Sequence, residues 1–171
     1  MNDKRDHDSR PREFRDPPTR YLEDFDEGDI HITRGRTIEA SDINAFAGLT
    51  GDFYPLHLDA EFADRQRFGS RIAHGPLTFS MAVGLLGMSG AFGDAIVALL
   101  EVQSIKASMP VLPGDTIHVR AEVSRIVSDK NPRFGELHMN YTVINQRSEE
   151  VMTFTQIMLA RKRPDSPEDL A

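Results

Sequence analysis

The sequence predicts a single α+β domain in which one long antiparallel sheet wraps around a central helix. A continuous apolar stretch, residues 76–92, carries apolar or small residues on nearly every helical face, which is typical of a helix enclosed by other structure. Four segments that follow it are rich in β-branched and aromatic residues, and turn-forming residues connect them. One helix followed by a run of strands is the order expected when a single sheet curls around a single helix.

The elements that precede the central helix are predicted to be short. Residues 31–38 form a modest strand candidate. Ser41 is the predicted N-cap of a helix whose apolar residues recur at i, i+3 and i+4, and Gly51 is predicted to end that helix. Asp59 is the predicted cap of a second short helix, and Pro76 suits the first turn of the central helix.

Four long strands are predicted after the central helix, and the second of them alternates clearly between apolar and polar residues. Their predicted bounds are residues 95–107, 116–127, 135–146 and 151–162. The residues between them include Gly, Pro, Asn and Asp, which favour turns, so the sequence predicts strands joined by hairpins.

Length and charge limit the function classes that remain open. The 171 residues suffice for one domain with a substantial core. The formal net charge of −7 at pH 7 argues against nucleic-acid binding, because no basic patch stands out from the acidic background. The chain contains no cysteine, which excludes disulfides and thiolate nucleophiles, and no segment approaches the length needed to span a membrane. We therefore expect a cytoplasmic enzyme or binding protein whose partners include neither nucleic acid nor a membrane.

Both ends of the chain are predicted to lie outside the folded domain. Residues 1–20 mix charges of both signs with three prolines and few large apolar residues, which predicts a mobile tail. Residues 164–171 have the same character and form a second predicted tail. The predicted domain therefore spans residues 21–163.

Asp52 and His57, within TGDFYPLHLD at residues 50–59, are the first candidates for chemistry. A five-residue offset turns a helix through about 500°, and on a strand it puts side chains on opposite faces, so the two side chains meet only where the chain bends. Gly51 and Pro55 supply such a bend, because Pro55 is expected to disfavour helix and to bias Tyr54 towards extended backbone. A histidine beside a carboxylate suits general acid–base catalysis. The alternative is that Asp52 caps a turn and His57 is a partly buried structural side chain.

His74, Gly75 and Pro76 form the second candidate site, at the start of the central helix. N–H groups at a helix N-terminus can polarise a carbonyl oxygen. Pro76 has no N–H, so Gly75 is the predicted donor, and its missing side chain allows close approach of a ligand. The alternative is that Gly75 only relieves a tight turn into the helix.

A metal site is a third possibility, since Asp52, His57, Asp59 and His74 all carry oxygen or nitrogen ligand atoms. None of them falls into a known metal-ligand spacing, which argues against this possibility. His57 followed by Asp59 is explained more simply as a loop histidine followed by a helix cap.

Arg65, Arg67 and Arg71 lie between TGDFYPLHLD and the central helix. A solvated charged surface is the simpler explanation for three arginines in this region. A clamp for a phosphate group is the functional alternative.

Three segments together resemble a known family. They are SDINAFAGLTGDFYPLHLDAEFA at residues 41–63, RIAHGPL at residues 71–77 and PVLPGD at residues 110–115. Their order and spacing are similar to those of MaoC-like dehydratases, the group that includes the (R)-specific enoyl-CoA hydratases. The resemblance covers about residues 21–160, which is nearly the whole predicted domain.

The resemblance implies a hotdog fold, a homodimer or larger even oligomer, and an acyl-CoA thioester as substrate. In such enzymes the aspartate and histidine of this motif, here Asp52 and His57, act on one water that adds across the 2,3 double bond. The backbone N–H of Gly75 would hold the thioester oxygen, and the reaction needs no metal or redox cofactor. Five further residues are implied in the substrate pocket: Tyr54, His74, Pro76, Leu77 and Ser80.

Two positions depart from the family pattern. Tyr54 stands where the family usually has Asn, and Val83 stands where short hydratases often have Ser, with Ser80 one turn earlier. The bulk of Tyr54 predicts an altered acyl pocket, for which a branched or carboxylated short acyl chain is one hypothesis. Two other functions remain open: a hotdog thioesterase, which needs a carboxylate near the central helix, and a non-catalytic acyl-CoA-binding module.

Overall fold

The computed structural model describes residues 16–129 and 131–164 of the chain. Most of both predicted tails, residues 1–15 and 165–171, lies outside the described residues. Two residues at the end of the predicted N-terminal tail contact the domain. The backbone N–H of Arg20 donates to Asp94 Oδ1 at 2.9 Å, and the N–H of Asp94 donates to the carbonyl of Pro18 at 3.0 Å. The ordered domain therefore includes Pro18 and Arg20.

Four α-helices and one 3₁₀ turn occur in the described part of the chain. The 3₁₀ turn is Leu22–Asp24, and the helices are α1 (Ala40–Thr50), α2 (Pro55–Leu58), α3 (Ala60–Asp64) and α4 (Gly75–Gly87). None of the described helices is long and apolar enough to cross a membrane.

Six strands form one antiparallel sheet. They are β1 (Ile30–Ile32), β2 (Arg36–Thr37), β3 (Ile96–Ala107), β4 (Thr116–Val127), β5 (Phe134–Asn145) and β6 (Glu150–Arg161). The strand order is β1-β4-β5-β6-β3, and β2 also pairs with β4. The predicted α+β class is confirmed, and each long strand begins and ends within one residue of its predicted bounds.

Two predictions about the strands were wrong. The candidate strand at residues 31–38 is divided into β1 and β2, which both pair with β4. β3 and β4 do not form a hairpin, because β3 pairs with β6 at the opposite edge of the sheet. The chain therefore crosses the sheet between β3 and β4, and this crossing leaves β3 as an edge strand.

α4 packs against the sheet, although it is shorter than predicted. Leu77, Ala82 and Leu86 on this helix are buried in the core. The helix ends at Gly87 rather than near residue 92, and the residues that follow form turns. Ser80 lies on a face of small residues that is exposed in the single chain, so α4 is not enclosed on every side as predicted.

The ends of α1 differ in how well they were predicted. The helix begins at Ala40, so Ser41 lies in its first turn and is not the N-cap. Glu39 takes that position because its backbone N–H donates to Asp42 Oδ2 at 2.9 Å, which leaves Ser41 no capping role. Gly51 ends the helix as predicted, with a left-handed φ of 77° that favours glycine.

Candidate active site

Asp52 follows the left-handed residue Gly51, which turns the chain away from α1. Two local hydrogen bonds define the turn: the Asp52 N–H donates to Thr50 Oγ1 at 3.3 Å, and the Tyr54 N–H donates to Asp52 Oδ1 at 3.3 Å. The Asp52 side chain remains 51% exposed. One carboxylate oxygen is thus used in the turn while the group as a whole stays open to solvent or a ligand.

His57 lies in the short helix α2, and this placement corrects the prediction for Pro55. Pro55 is the first residue of α2, so the expectation that it disfavours helix was wrong, whereas Tyr54 before it is extended as expected, with φ −59° and ψ 132°. Proline suits this position because the first N–H groups of a helix have no intrahelical acceptor. The bend between Asp52 and His57 therefore consists of Gly51, an irregular segment and one helical turn.

A backbone carbonyl determines which nitrogen of the His57 ring carries the proton in the neutral form. The Nδ1 atom lies 2.8 Å from the carbonyl oxygen of Ile72. Because a carbonyl can only accept, Nδ1 carries a proton and donates it. In neutral His57 the other nitrogen, Nε2, is therefore the free acceptor, which is the form that a general base requires.

The site has two halves, the segment that carries Asp52 and His57 and the start of α4. His74 contacts both and is 1% exposed. Its Nε2 lies 3.0 Å from the backbone carbonyl of Asp52, so this nitrogen donates. Its ring stacks on that of His57, with centroids 3.8 Å apart and planes 26° apart, and the Phe46 ring lies 5.1 Å away. His74 thus holds the Asp52 turn and α2 against the start of α4.

These contacts bring the side chains of Asp52, His57 and His74 together. One carboxylate oxygen of Asp52 and one nitrogen of each ring all lie within 4.8 Å of one another. The predicted meeting of Asp52 and His57 across a bend is confirmed. A separation of this size suits a single water, because two hydrogen bonds of about 2.8 Å through one oxygen span such a gap.

The same cluster does not fit a metal ion held by both histidines. A metal lies in the plane of each imidazole that binds it, about 2.0–2.1 Å from the nitrogen. The rings of His57 and His74 are stacked, with planes only 26° apart. A single metal ion therefore cannot lie in both ring planes and also within bonding distance of a nitrogen of each ring. Asp59 is occupied as the cap of α3, where its Oδ1 accepts from the Phe62 N–H at 3.0 Å, as predicted.

Gly75 begins α4 beside this cluster, directly after His74. No described group accepts a hydrogen bond from its backbone N–H. Such an N–H at the positive end of a 13-residue helix can donate to an oxygen that gains negative charge.

Two cavities open near the site. The larger has a volume of about 260 Å³, and its lining includes Arg67, Phe68, Gly75, Thr78, Met109 and Met152. The smaller, of about 130 Å³, is lined by Tyr54, Leu56, Phe62, Gln66, Arg67 and Phe68. Arg67 and Phe68 line both cavities, so they separate one from the other.

The five residues predicted for the substrate pocket occupy three environments. Tyr54 lines the smaller cavity, with its ring centroid 6.4 Å from that of His57. Pro76 and Ser80 lie on the exposed face of α4, where Ser80 Oγ donates to the Pro76 carbonyl at 2.8 Å. His74 and Leu77 are buried and line neither cavity.

The buried carboxylate of Asp115 stabilises the loop between β3 and β4, which contacts the site. Asp115 accepts hydrogen bonds from the Leu112 N–H at 2.9 Å, from Gln146 at 2.6 Å and from Arg147 at 3.0 Å. Burial raises the pKa of Asp115, but these hydrogen bonds and the Arg147 charge outweigh it and hold the pKa below its ordinary value. The carboxylate thereby closes the loop that joins β3 to β4.

This loop contacts the segments that carry both halves of the site. The carbonyl of Val111 accepts from the N–H of Ala73, which directly precedes His74, at 2.7 Å. The carbonyl of Asp115 accepts from the N–H of Ile38, just before α1, at 2.8 Å. The PVLPGD segment therefore aligns the start of α4 with the helix that leads to Asp52.

Comparison with known proteins agrees with this architecture. A family model described as "MaoC like domain" matches residues 26–146. The crystal structure of the MaoC-like dehydratase from Rhodospirillum rubrum superposes with a TM-score of 0.77 at 32% identity, covering 85% of this chain and 99% of that one. The hotdog fold predicted from the sequence is confirmed by structural neighbours of that architecture.

Two curated relatives extend the comparison. The chain is 36% identical over 110 residues to the 3-hydroxybutyryl-CoA dehydratase of Methylorubrum extorquens, covering 64% of this chain and 68% of that protein. It is also 36% identical over 109 residues to the protein MaoC of Klebsiella aerogenes, covering 64% of this chain. The match spans 32%, about a third, of the length of the Klebsiella protein.

Proposed function

The chain belongs to the MaoC-like domain family, and on that premise we propose that it is a hydro-lyase acting on an acyl-CoA thioester. The proposed reaction adds water across the 2,3 double bond of a 2-enoyl-CoA, or removes water from a 3-hydroxyacyl-CoA in the reverse direction. The name of the Methylorubrum extorquens relative, a 3-hydroxybutyryl-CoA dehydratase, supports this reaction class.

The observation that carries the proposal is the convergence of Asp52 and His57 beside Gly75, whose N–H has no acceptor among the described residues. The Asp52 carboxylate and the Nε2 of neutral His57 are both acceptors. Water between them therefore donates one hydrogen to each and presents its oxygen lone pair to the substrate. Two acceptors and one water supply the parts that a hydration needs.

The chemical step balances with these groups alone. The water oxygen forms a bond to C3 while one of its protons passes to Asp52 or His57. That residue then returns the proton to C2, so the substrate gains one OH and one H and the enzyme regains its starting protonation state. Water addition changes no net oxidation state, so the step needs no redox cofactor, and in the proposal a backbone N–H rather than a metal polarises the thioester oxygen.

The thioester oxygen gains charge as C3 is attacked, because the electrons of the double bond move towards the carbonyl. In the proposal the Gly75 N–H donates to this oxygen, and the N-terminal end of α4 favours its negative charge. The described residues Gly75–Gly87 of α4 contain no Asp or Glu, so the helix itself supplies no carboxylate for thioester hydrolysis, and Asp52 is the carboxylate near its start.

The proposed active form is a homodimer formed through β3. This strand is at the edge of the sheet, where its outer N–H and C=O groups lack a neighbouring strand within the described residues. Four of its apolar side chains are about half exposed: Val97, Leu99, Leu100 and Ile105. Pairing with β3 of a second copy would cover them and continue the sheet.

Hydration of crotonyl-CoA, followed by mass spectrometry for the gain of water, tests the proposed function. We expect Asp52→Asn and His57→Ala each to lower kcat by roughly 10²–10⁴-fold while the folded state is retained, because each removes a proton acceptor. Asp59→Asn is the matched control: asparagine also caps helices, so activity and fold should both persist.

Three outcomes would contradict the proposal. Wild-type turnover by either site variant would exclude the Asp52–His57 pair. Release of free CoA thiol without water addition would identify a thioesterase. Saturable binding of crotonyl-CoA with no change at the double bond would identify a binding module.

A further inference from the structure

Arg67 is distinguished by its surroundings from the two other arginines near the site. Arg65 is paired with Glu61, with the nearest nitrogen and oxygen 3.5 Å apart. Arg71 lines neither of the two cavities. Arg67 lines both, and no described residue forms a hydrogen bond or ion pair with its guanidinium group, whose carbon lies 5.7 Å from the Phe68 ring centroid.

Of the described residues that line the two cavities, only Arg67 carries a charge. The chain has a formal net charge of −7, and none of the described residues that line the two cavities is a carboxylate that would neutralise Arg67. A free guanidinium at the wall of a cavity favours an anionic ligand, and its planar donors match the oxygens of a phosphate group.

The larger cavity connects Arg67 to the candidate active site. Gly75, whose N–H is the proposed donor to the thioester oxygen, lines it together with Arg67. The walls between them are mixed: Phe68, Met109 and Met152 are apolar, while other lining residues carry hydroxyl groups. Such a lining suits a chain that carries both apolar and hydrogen-bonding groups, with its thioester at Gly75 and an anionic group at Arg67.

We propose that Arg67 binds the phosphate group of the substrate's 4′-phosphopantetheine arm, which would then lie in the larger cavity. This inference rests on the proposed thioester chemistry at Gly75. Pantetheine has methylene and dimethyl groups for the apolar wall and two amides for the hydroxyls, and it places a phosphate at the far end from the thioester. A cavity of about 260 Å³ has a size appropriate to such an arm rather than to a whole CoA molecule.

The same phosphopantetheine arm occurs in coenzyme A and on acyl carrier protein. A guanidinium that binds the shared phosphate therefore serves either carrier, and the two sources are separated by experiment. The steady-state hydration of crotonyl-CoA and of crotonyl-acyl carrier protein by the wild-type chain identifies the carrier with the higher kcat/KM.

The test compares Arg67→Ala with Arg65→Ala on that carrier. Loss of a charge-assisted contact made equally in the ground state and transition state is expected to raise KM about 10-fold and to leave kcat within about 2-fold. Arg65→Ala should leave both constants unchanged, because Arg65 is paired with Glu61 away from the cavities. Arg67→Lys should restore part of the loss, since lysine keeps the charge without the planar donors.

Crotonyl-pantetheine, which lacks the phosphate, gives the decisive comparison. We expect Arg67→Ala to have no effect on its KM, because the group that Arg67 binds is missing. An unchanged KM for the carrier substrate in Arg67→Ala would overturn the inference. An equal rise in KM for crotonyl-pantetheine would also overturn it.

Equilibrium binding separates failure of this inference from failure of the proposed function. Titration of the wild-type chain and of Arg67→Ala with free CoA needs no turnover. If no substrate is hydrated, the proposed function fails, yet a 10-fold weaker Kd for CoA in Arg67→Ala would still support the phosphate contact. Equal affinities of the two proteins for CoA would overturn it.

Discussion

Tyr141 is a buried side chain whose polar atom has no described hydrogen-bond partner. The residue is 1% exposed and stacks on Phe154, with ring centroids 4.4 Å apart. Phe154 in turn contacts Phe79 of α4 at 4.8 Å. Burial raises the pKa of Tyr141 well above its ordinary value, so its hydroxyl stays protonated. The ring contributes to the core, while the hydroxyl carries a desolvation cost.

We predict that Tyr141→Phe leaves stability unchanged or raises it by up to about 1 kcal/mol, because the substitution keeps the stacked ring and removes an unsatisfied hydroxyl. Urea unfolding of the two proteins gives the difference. Phe79→Leu serves as a control: it removes a ring that contacts Phe154 and should lower the free energy of unfolding of the protein. Destabilisation by Tyr141→Phe of more than 1 kcal/mol would mean that the hydroxyl has a partner in the folded protein.

Single residues of the site differ in how far the sequence predicts them. The offset between Asp52 and His57 requires a bend, and Gly51 beside it made the bend predictable. The carbonyl of Ile72, which orients the His57 ring, could not be predicted, because every residue has a carbonyl and its direction depends on the tertiary fold. The sequence does not distinguish Arg67 from Arg65 and Arg71. Only the structure shows that Arg67 lines the cavities and the other two do not.

At the scale of elements, strands were predicted better than helices and connections. β4 and β5 alternate between buried and less buried residues over most of their length, and β6 is rich in apolar residues, so their bounds follow from the sequence. The position of β3 beside β6 depends on long-range pairing, which local patterns do not encode. The exposed face of α4 was missed because small residues fit a buried helix and an interface equally well.

The edge position of β3 leads to a prediction about assembly. Leu99→Lys should convert the proposed dimer into a monomer, because a lysine on an exposed edge strand opposes pairing with a second strand. Ile32→Lys is the matched control: Ile32 is equally apolar and 69% exposed but lies in β1 at the opposite edge. Sedimentation velocity at micromolar concentration measures both variants. A monomeric wild-type chain, or dissociation caused by Ile32→Lys alone, would contradict assembly through β3.

For the molecule as a whole, the loop closed by Asp115 connects parts that are distant in the sequence. Its backbone bonds reach Ile38 before α1 and Ala73 before α4, and its carboxylate binds Gln146 and Arg147 in the β5–β6 turn. The two halves of the site therefore depend on one buried charge for their relative position. The sequence predicted a turn in this segment, but the partners of its carboxylate follow only from the assembled fold.

We predict that Asp115→Asn lowers the free energy of unfolding at pH 7 by about 1–3 kcal/mol, because it removes the charged acceptor of three hydrogen bonds. The native pKa of Asp115 lies below its ordinary value of 3.8, so this stabilisation is fully present above pH 3.8 and is lost as the pH falls through the native pKa. The difference between the two proteins should thus be constant from pH 7 to pH 5 and shrink below pH 3.8. Urea unfolding across this range measures it, with the surface variant Glu61→Gln as a control expected to have little effect at pH 7. A difference that stays constant down to the pH of acid unfolding would show that the Asp115 charge does not stabilise the fold.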